Sequence, residues 1–306
     1  MKRLFSTVVV TLAAALTLSA CGGGDPLTNA SATPADSGGA PAAGGSKVVV
    51  GSANFPENVL LAEIYSQALQ AKGVQVEKKL NIGSREVLYG QVKSGGLTVL
   101  PEYIGSLLAF IDKSATAKTK EDVLAGLKEK LPAELEVLEP AAAEDSDSLT
   151  VTRELSQKVG LTTIEDLAKV AKNLTIGGPP EFQTRQEKNL KDTYGLEFKE
   201  WKKTGDATAD ALKDGTIEVG NVFTTDPKVI INGLISLQDT KHVFGAGNVA
   251  PLVNKAGVNE TVTSTLNAVS AKLDTAGLLT MMKRLSIEKA DAATVAKEWL
   301  VQNGLV

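Results

Sequence analysis

The sequence predicts an α/β protein whose folded part is built from two similar halves. Strand-like and helix-like patterns alternate from Lys47 onward, as repeated βα units of a largely parallel sheet do. The 306 residues exceed what one hydrophobic core usually organises, which suits one large unit or two lobes. The segment Val92-Lys93-Ser94-Gly95-Gly96-Leu97-Thr98-Val99 is also echoed by Leu212-Lys213-Asp214-Gly215-Thr216-Ile217-Glu218-Val219. Both read as a helix end, a Gly cap and a short strand.

Lys47–Gly51 is a short β-branched run, and Pro56 then opens a helix with an apolar stripe at Leu60, Leu61, Ile64, Ala68 and Ala71. Pro suits a first helical turn, and Gly73 suits the position just past the end. Strand Val74–Leu80, helix Ser84–Ser94, strand Leu97–Leu100 and helix Pro101–Ile111 follow. A helix over Thr119–Leu131 starts with Thr119 and Asp122 at capping-box spacing, and Glu134–Leu138 returns as strand. The second series runs strand Leu149–Thr152, helix Thr163–Ala171, strand Leu174–Gly177 and helix Gln183–Tyr194. A strand around Phe198, helix Ala207–Lys213 and strand Ile217–Val222 complete it. The tail from Thr261 to Asn303 reads as nearly all helix. Its apolar spacing at Leu278, Leu279, Met282, Leu285, Val295, Trp299 and Leu300 assigns Trp299 to the core.

Upstream of Lys47 the chain carries an address. Lys2 and Arg3 precede the apolar stretch Val8–Leu18, which is too short to span about 30 Å of hydrocarbon and fits a secretory signal peptide over residues 1–20. It ends in Leu18-Ser19-Ala20-Cys21, which resembles the lipobox of bacterial lipoproteins. That resemblance implies a diacylglyceryl group on Cys21, and more than one acyl chain gives stable anchoring. All but four of residues 22–46 are Gly, Pro, Ala, Ser or Thr, so residues 21–46 are expected to be a lipidated flexible tether. The protein is thus expected to be exported and lipid-anchored to the outer face of the cytoplasmic membrane.

Composition narrows the chemistry. With 32 Lys+Arg against 36 Asp+Glu and no basic run, nucleic acid is not an expected partner. One Cys excludes intramolecular disulfides and Cys-based structural zinc, and one His excludes multi-His metal sites, so no metal or cofactor is expected. Acid–base catalysis is left with a single histidine, His242, which reads as a surface or crossover residue. An enzyme is not expected.

Four aromatics instead stand just beyond strand ends, two in each half: Phe55 and Tyr103, then Phe182 and Phe223. Ligands of open α/β sheets bind outside the carboxyl ends of strands, so halves facing each other would bring these rings to one cleft. Ring faces suit a quaternary ammonium group, which has no N–H to donate. A carboxylate attached to it would need donors. Candidates are Ser84 with Arg85 and Thr224 with Thr225 at helix starts, and Thr184 with Arg185 in the second half. Tyr89, on the second helix, is placed within reach of the cleft. The acidic cluster Glu144-Asp145-Asp147 lacks EF-hand spacing but would favour a cationic guest. Tyr65, Phe110, Tyr194, Phe198 and Trp201 read as packing.

Gly51-Ser52-Ala53-Asn54-Phe55-Pro56-Glu57, Gly83-Ser84-Arg85-Glu86-Val87, Pro101-Glu102-Tyr103-Ile104-Gly105 and Gly177-Gly178-Pro179-Pro180-Glu181-Phe182 together resemble the substrate-binding lipoproteins of osmoprotectant ABC importers. That family takes up glycine betaine, choline, carnitine, proline betaine or proline. The resemblance spans essentially all of Lys47–Val306. It implies a two-lobed type II periplasmic-binding-protein fold, in which two α/β lobes joined by two crossover segments close on a small osmolyte and pass it to ABC permease transmembrane subunits. Residues 47–147 plus 247–306 would form lobe 1 and residues 148–246 lobe 2. By motif, Tyr103 and Phe223 would be cage walls, with Asn54 and Phe55 at the first helix start. Thr224 and Thr225 would be polar partners of the guest, and Asp145 and Ser146 would lie where the first crossover lines the cleft. Members often carry an acid near Thr98 and a Thr where Ile104 stands, so the first-lobe wall would be drier here. The protein would act as a monomer.

Two other readings remain. One is a binding protein for another small polar solute, such as proline or an amino acid. The other is an envelope Ser-Lys hydrolase. Ser286-Ile287-Glu288-Lys289 fits S-x-x-K and Lys203-Thr204-Gly205 fits K-T-G, but their order is reversed and S-D-N is missing.

Overall fold

A computed structural model describes residues 47–306. The signal peptide, Cys21 and the tether expected for residues 1–46 lie outside the described residues. Two five-stranded sheets organise the rest. The first series contains β1 (Val48–Ala53), α1 (Pro56–Ala71), β2 (Val76–Gly83), α2 (Arg85–Lys93), β3 (Val99–Tyr103), α3 (Ile104–Ile111), α4 (Lys120–Lys130) and β4 (Leu135–Val137). The chain then crosses to β5 (Leu149–Thr152), α5 (Arg153–Val159), α6 (Ile164–Ala168), β6 (Thr175–Gly178) and α7 (Pro180–Tyr194). This series continues through β7 (Glu200–Lys203), α8 (Thr208–Lys213), β8 (Val219–Asn221), α9 (Lys228–Ile231) and β9 (Leu234–Ser236). It returns through β10 (Val249–Asn254) and ends in α10 (Glu260–Ser270), α11 (Thr275–Ser286) and α12 (Ala292–Gln302). Among the described residues no helix is long and apolar enough to cross a membrane.

The two sheets repeat one plan. Their orders are β2-β1-β3-β10-β4 and β7-β6-β8-β5-β9. In each, the strand that has just crossed from the other lobe sits fourth, antiparallel to both neighbours: β10 between β3 and β4, β5 between β8 and β9. The packing repeats as well. A Cβ added to Gly51 in β1 would lie 2.6 Å from Leu97 Cδ1, and one added to Gly177 in β6 would lie 2.6 Å from Ile217 Cδ1. Leu97 and Ile217 are partners in the sequence echo, so the internal repeat is also a packing repeat.

The first core is centred on α1, which lies on β1 and β2 and is covered by α10 and α12. Leu60, Leu61, Ile64, Tyr65 and Leu69 are buried there, and Trp299 of α12 joins the same cluster as its spacing indicates. Local signals explain many boundaries. Thr119 caps α4, its hydroxyl accepting from the Asp122 N–H at 3.2 Å. A full capping box joins Thr163 and Asp166 at α6.

Several boundaries differ from the sequence reading. Pro101 does not open a helix; it lies inside β3, directly opposite Pro251 of β10. A central-strand proline is tolerated here because the β1–β3 ladder ends at Val50 and Val99, so nothing beyond it needs the missing N–H. Helix α7 starts at Pro180 rather than Gln183. The strand expected around Phe198 is β7, two residues later. Strands β9 and β10 and helices α5 and α9 carried no pattern that the sequence reading recognised.

The two crossings run side by side. Glu144 and Asn248 form an antiparallel bridge, and the Asp145 N–H donates to the Gly247 carbonyl at 3.0 Å. Gly247 makes this approach possible: a Cβ there would stand 2.0 Å from Ser146 Oγ and 2.5 Å from the Asp145 carbonyl oxygen.

Candidate functional site

In each sheet the connections reverse direction beside the first strand, between β1 and β3 in one and between β6 and β8 in the other. Such reversal splays strand ends and leaves a crevice beyond their carboxyl termini. In the first lobe Asn58, in the first turn of α1, spans the gap. Its Oδ1 accepts from the Ala53 N–H at 2.7 Å, and its Nδ2 donates to the Pro101 carbonyl at 3.0 Å. Above it lies a crevice of about 140 Å³ lined by the ends of β1 and β3 and the start of α2. Phe55 and Tyr103 stack beside it, with centroids 6.2 Å apart and planes 27° from parallel. That spacing is ordinary ring–ring contact, so the two rings make one wall. Phe55 is 39% exposed and Tyr103 is 7% exposed.

Beneath the wall lies a chain of acids. The Tyr103 hydroxyl donates to Glu57 Oε1 at 2.6 Å, and Glu57 is buried in the first turn of α1. Burial, followed by the field of Asp145, raises the Glu57 carboxyl from 4.5 to about 7, against the pull of the Tyr103 and Thr225 hydroxyls. Asp145, on the first crossing, is raised by burial and then by Asp147 and Asp226, while Thr225 lowers it. The Thr225 hydroxyl donates to Asp145 Oδ1 at 2.9 Å. Tyr103, pushed well above the usual phenol range by burial and by the Glu57 and Asp145 charges, remains a proton donor.

The second lobe contributes the end of β8. Phe223 follows it and is 50% exposed. The Thr224 hydroxyl donates to the Glu144 carbonyl at 2.8 Å and accepts from the Ser146 N–H at 3.1 Å, fastening this turn to the first crossing. Asp147 Oδ1 accepts from Asn221 Nδ2 at 3.0 Å, and its Oδ2 accepts from Arg185 at 3.3 Å.

The structure therefore brings together part of the expected set: Asn54, Phe55, Ser84, Arg85 and Tyr103 around the first-lobe crevice, and Asp145, Ser146, Thr224 and Thr225 along the crossing. Phe182 is not brought there. Because α7 starts three residues early, its ring points back into the second core and is fully buried against Trp201 and Phe244. Tyr89 packs edge-on against Phe110, centroids 5.3 Å apart. Thr184 lies in the second turn of α7, where its hydroxyl donates to the Pro180 carbonyl, so it offers no free helix start. Thr224 and Thr225 precede α9 in a turn rather than opening it. Arg85 is committed to a bidentate pair with Glu102, 2.9 Å at both Nε–Oε1 and Nη2–Oε2. Thr98 stands at the opposite end of β3 from Tyr103, roughly 16 Å away at about 3.3 Å per residue, and cannot dry the cleft wall. The residues that sequence reading missed are Glu57, Asn58, Glu102 and Asn221. Glu57 and Glu102 flank the aromatics Phe55 and Tyr103 in the chain, which was the available signal.

The hydrolase motifs fall apart in space. Ser286 ends α11 in the first lobe, and Lys203 ends β7 in the second. Exposed His242 stands near Glu144. Among the described residues no group of three or more His, Cys, Asp or Glu could hold a metal.

Residues 46–302 match the family described as the substrate binding domain of ABC-type glycine betaine transport systems. The chain belongs to this family. Its members are binding components of transporters and not enzymes. Escherichia coli K12 glycine betaine-binding protein YehZ is 28% identical over 85% of this chain and 91% of its own length. A glycine-betaine-binding protein of Pseudomonas aeruginosa is 26% identical over 84% and 88%. The structure of apo YehZ from E. coli superposes with a TM-score of 0.76 at 27% identity, covering 85% of this chain and all of that one. A crystal structure of a glycine betaine/carnitine/choline ABC transporter gives 0.78 at 19% identity over 84% and 99%. These likenesses and the paired sheets give this member of the family the two-lobed type II periplasmic-binding-protein fold.

Proposed function

We propose that this protein captures a quaternary-ammonium osmolyte, such as glycine betaine or choline, between its lobes and delivers it to the transmembrane subunits of an ABC importer. The observation that carries this reading is the Phe55–Tyr103 wall standing over buried Glu57 at the splayed ends of β1 and β3. Ring faces and carboxylates both attract a diffuse cation, while neither requires it to donate a hydrogen bond. Phe223, exposed on the other lobe, supplies the facing ring when the lobes close, so the cage has three rings rather than four. Closure needs only that the guest bind the closed arrangement better than the open one. The names of the relatives, glycine betaine-binding proteins and a carnitine transport binding protein of Listeria monocytogenes (22% identical over 86% of this chain), support the same guest class. Cys21 would hold the protein at the outer face of the cytoplasmic membrane, as a monomer, with residues 22–46 as the tether. Titration calorimetry with glycine betaine, choline, carnitine, proline betaine and proline tests the reading. A quaternary amine is expected to bind and to stabilise the fold by about 2.7 kcal/mol at a hundredfold excess over Kd. Absence of heat and of any thermal shift with all five would overturn it.

A further inference from the structure

We propose that Glu57 and Asp145 form a proton-sharing pair at the lobe boundary from which a guest of net positive charge, such as choline, expels the proton, whereas a zwitterionic betaine leaves it in place. This rests on the reading of the cleft as a quaternary-ammonium site and specifies how that site sorts guests by net charge.

The geometry requires a proton that the neighbouring side chains do not supply. Thr225 lies within hydrogen-bonding reach of both carboxyls, and its one hydroxyl hydrogen goes to Asp145 Oδ1 at 2.9 Å. Tyr103 serves Glu57 Oε1. The second oxygen of Glu57 then meets Thr225 favourably only if it carries a hydrogen of its own. As a neutral acid Glu57 is satisfied on both oxygens: it accepts from Tyr103 and donates to Thr225, which donates onward to Asp145. Buried polar groups are stable when so paired, and a second buried anion here would not be.

The surrounding charges offer no alternative neutraliser. Glu57 faces Tyr103 from β3, Asp145 from the crossing and Thr225 from the turn after β8, and Asp145 also faces Asp147 and Asp226. The two guanidiniums close to this group are occupied, Arg85 by Glu102 and Arg185 by Asp147. Glu144, further along the crossing, feels His242 and Asp239. A cation seated against the Phe55–Tyr103 wall would supply the missing positive charge. Glu57 would then ionise, its O–H bond breaking with the proton passing to solvent and the electron pair remaining on the carboxylate. A betaine brings its own carboxylate, to which a neutral Glu57 can donate; ionising Glu57 would instead set two anions together.

Linkage makes the two guests diverge with pH. The affinity for choline is expected to rise by up to about tenfold per pH unit below the titration of Glu57 and to level off above it. The affinity for glycine betaine is expected to be flat over that range and to fall above it. The test is calorimetry of the purified protein at pH 6 in phosphate and in ACES, buffers of low and high ionisation heat. About one proton released per choline and about none per glycine betaine is the expected result. Glu57→Gln should abolish the buffer-dependent part of the choline heat, and Asp145→Asn should do the same if Glu57→Gln fails to fold. Choline heats identical in both buffers would overturn the proton linkage while leaving osmolyte binding intact. Binding of glycine betaine without any binding of choline, or proton release that persists in Glu57→Gln, would also overturn it. No heat with either guest would overturn the proposed function, and the linkage with it.

Discussion

Replacing Glu57 by Gln keeps the side chain's shape and leaves an oxygen to accept from Tyr103, but removes the ability to ionise. Glu57 is 4% exposed and its carboxyl stands at about 7 against an ordinary 4.5. A folded value above the unfolded one means that the folded state binds the extra proton, so stability is greatest below pH 4.5 and is lost as pH rises through about 7. At 1.36 kcal/mol per pH unit the full difference is about 3 kcal/mol. The ligand-free Gln variant is therefore expected to match the parent near pH 4, gain on it between pH 4.5 and 7, and exceed it by about 3 kcal/mol at pH 8.5. For a chain of this size that corresponds to about 6–12 °C in Tm. Denaturant unfolding at a series of pH values reads the difference directly. A gap that does not change between pH 4 and 8.5 would refute the idea that Glu57 is held neutral in the folded protein.

Three further substitutions separate core from cleft. Phe223→Ala is expected to weaken binding of a quaternary amine by about 2 kcal/mol, about 30-fold, with little change in Tm because the ring is half exposed; calorimetry and a thermal melt together check this. Phe182→Ala empties a fully buried site and is expected to cost about 3–5 kcal/mol in denaturant unfolding, an effect that a cage ring exposed in the empty protein would not show. Arg85→Ala leaves Glu102 buried without its guanidinium and is expected to destabilise by about 3 kcal/mol or more, again read by denaturant unfolding. A fully stable Arg85→Ala protein with lost binding would instead make Arg85 a ligand donor.

The legible parts of the fold were those written in local chemistry. Pro56 marked the start of α1, Thr119 its helix cap, and the echo of Val92–Val99 in Leu212–Val219 located β3 and β8 in their two sheets. Pro101 misled because the same residue type opens helices and ends strand ladders, and only the splay between β1 and β3 decides between them. The returning strand β10 went unrecognised because Pro251 interrupts it and its partners lie far away in sequence. At the site, ring positions at strand ends were readable, whereas ring directions were not. Three residues of difference in the start of α7 turned Phe182 from the cleft into the core. The commitment of Arg85 to Glu102 and the bond from Tyr103 to Glu57 are tertiary facts with no local sequence pattern, so the cleft is richer in acid and poorer in free donors than its motifs suggested.

The most direct measurement of the central claim is a crystal structure of the protein grown with glycine betaine or choline. The expected result is a closed pair of lobes with the trimethylammonium group against Phe55 and Tyr103, Phe223 opposite, and Glu57 beneath. Lobes closed on a guest whose ammonium lies away from these rings, or a guest bound outside the cleft altogether, would contradict it.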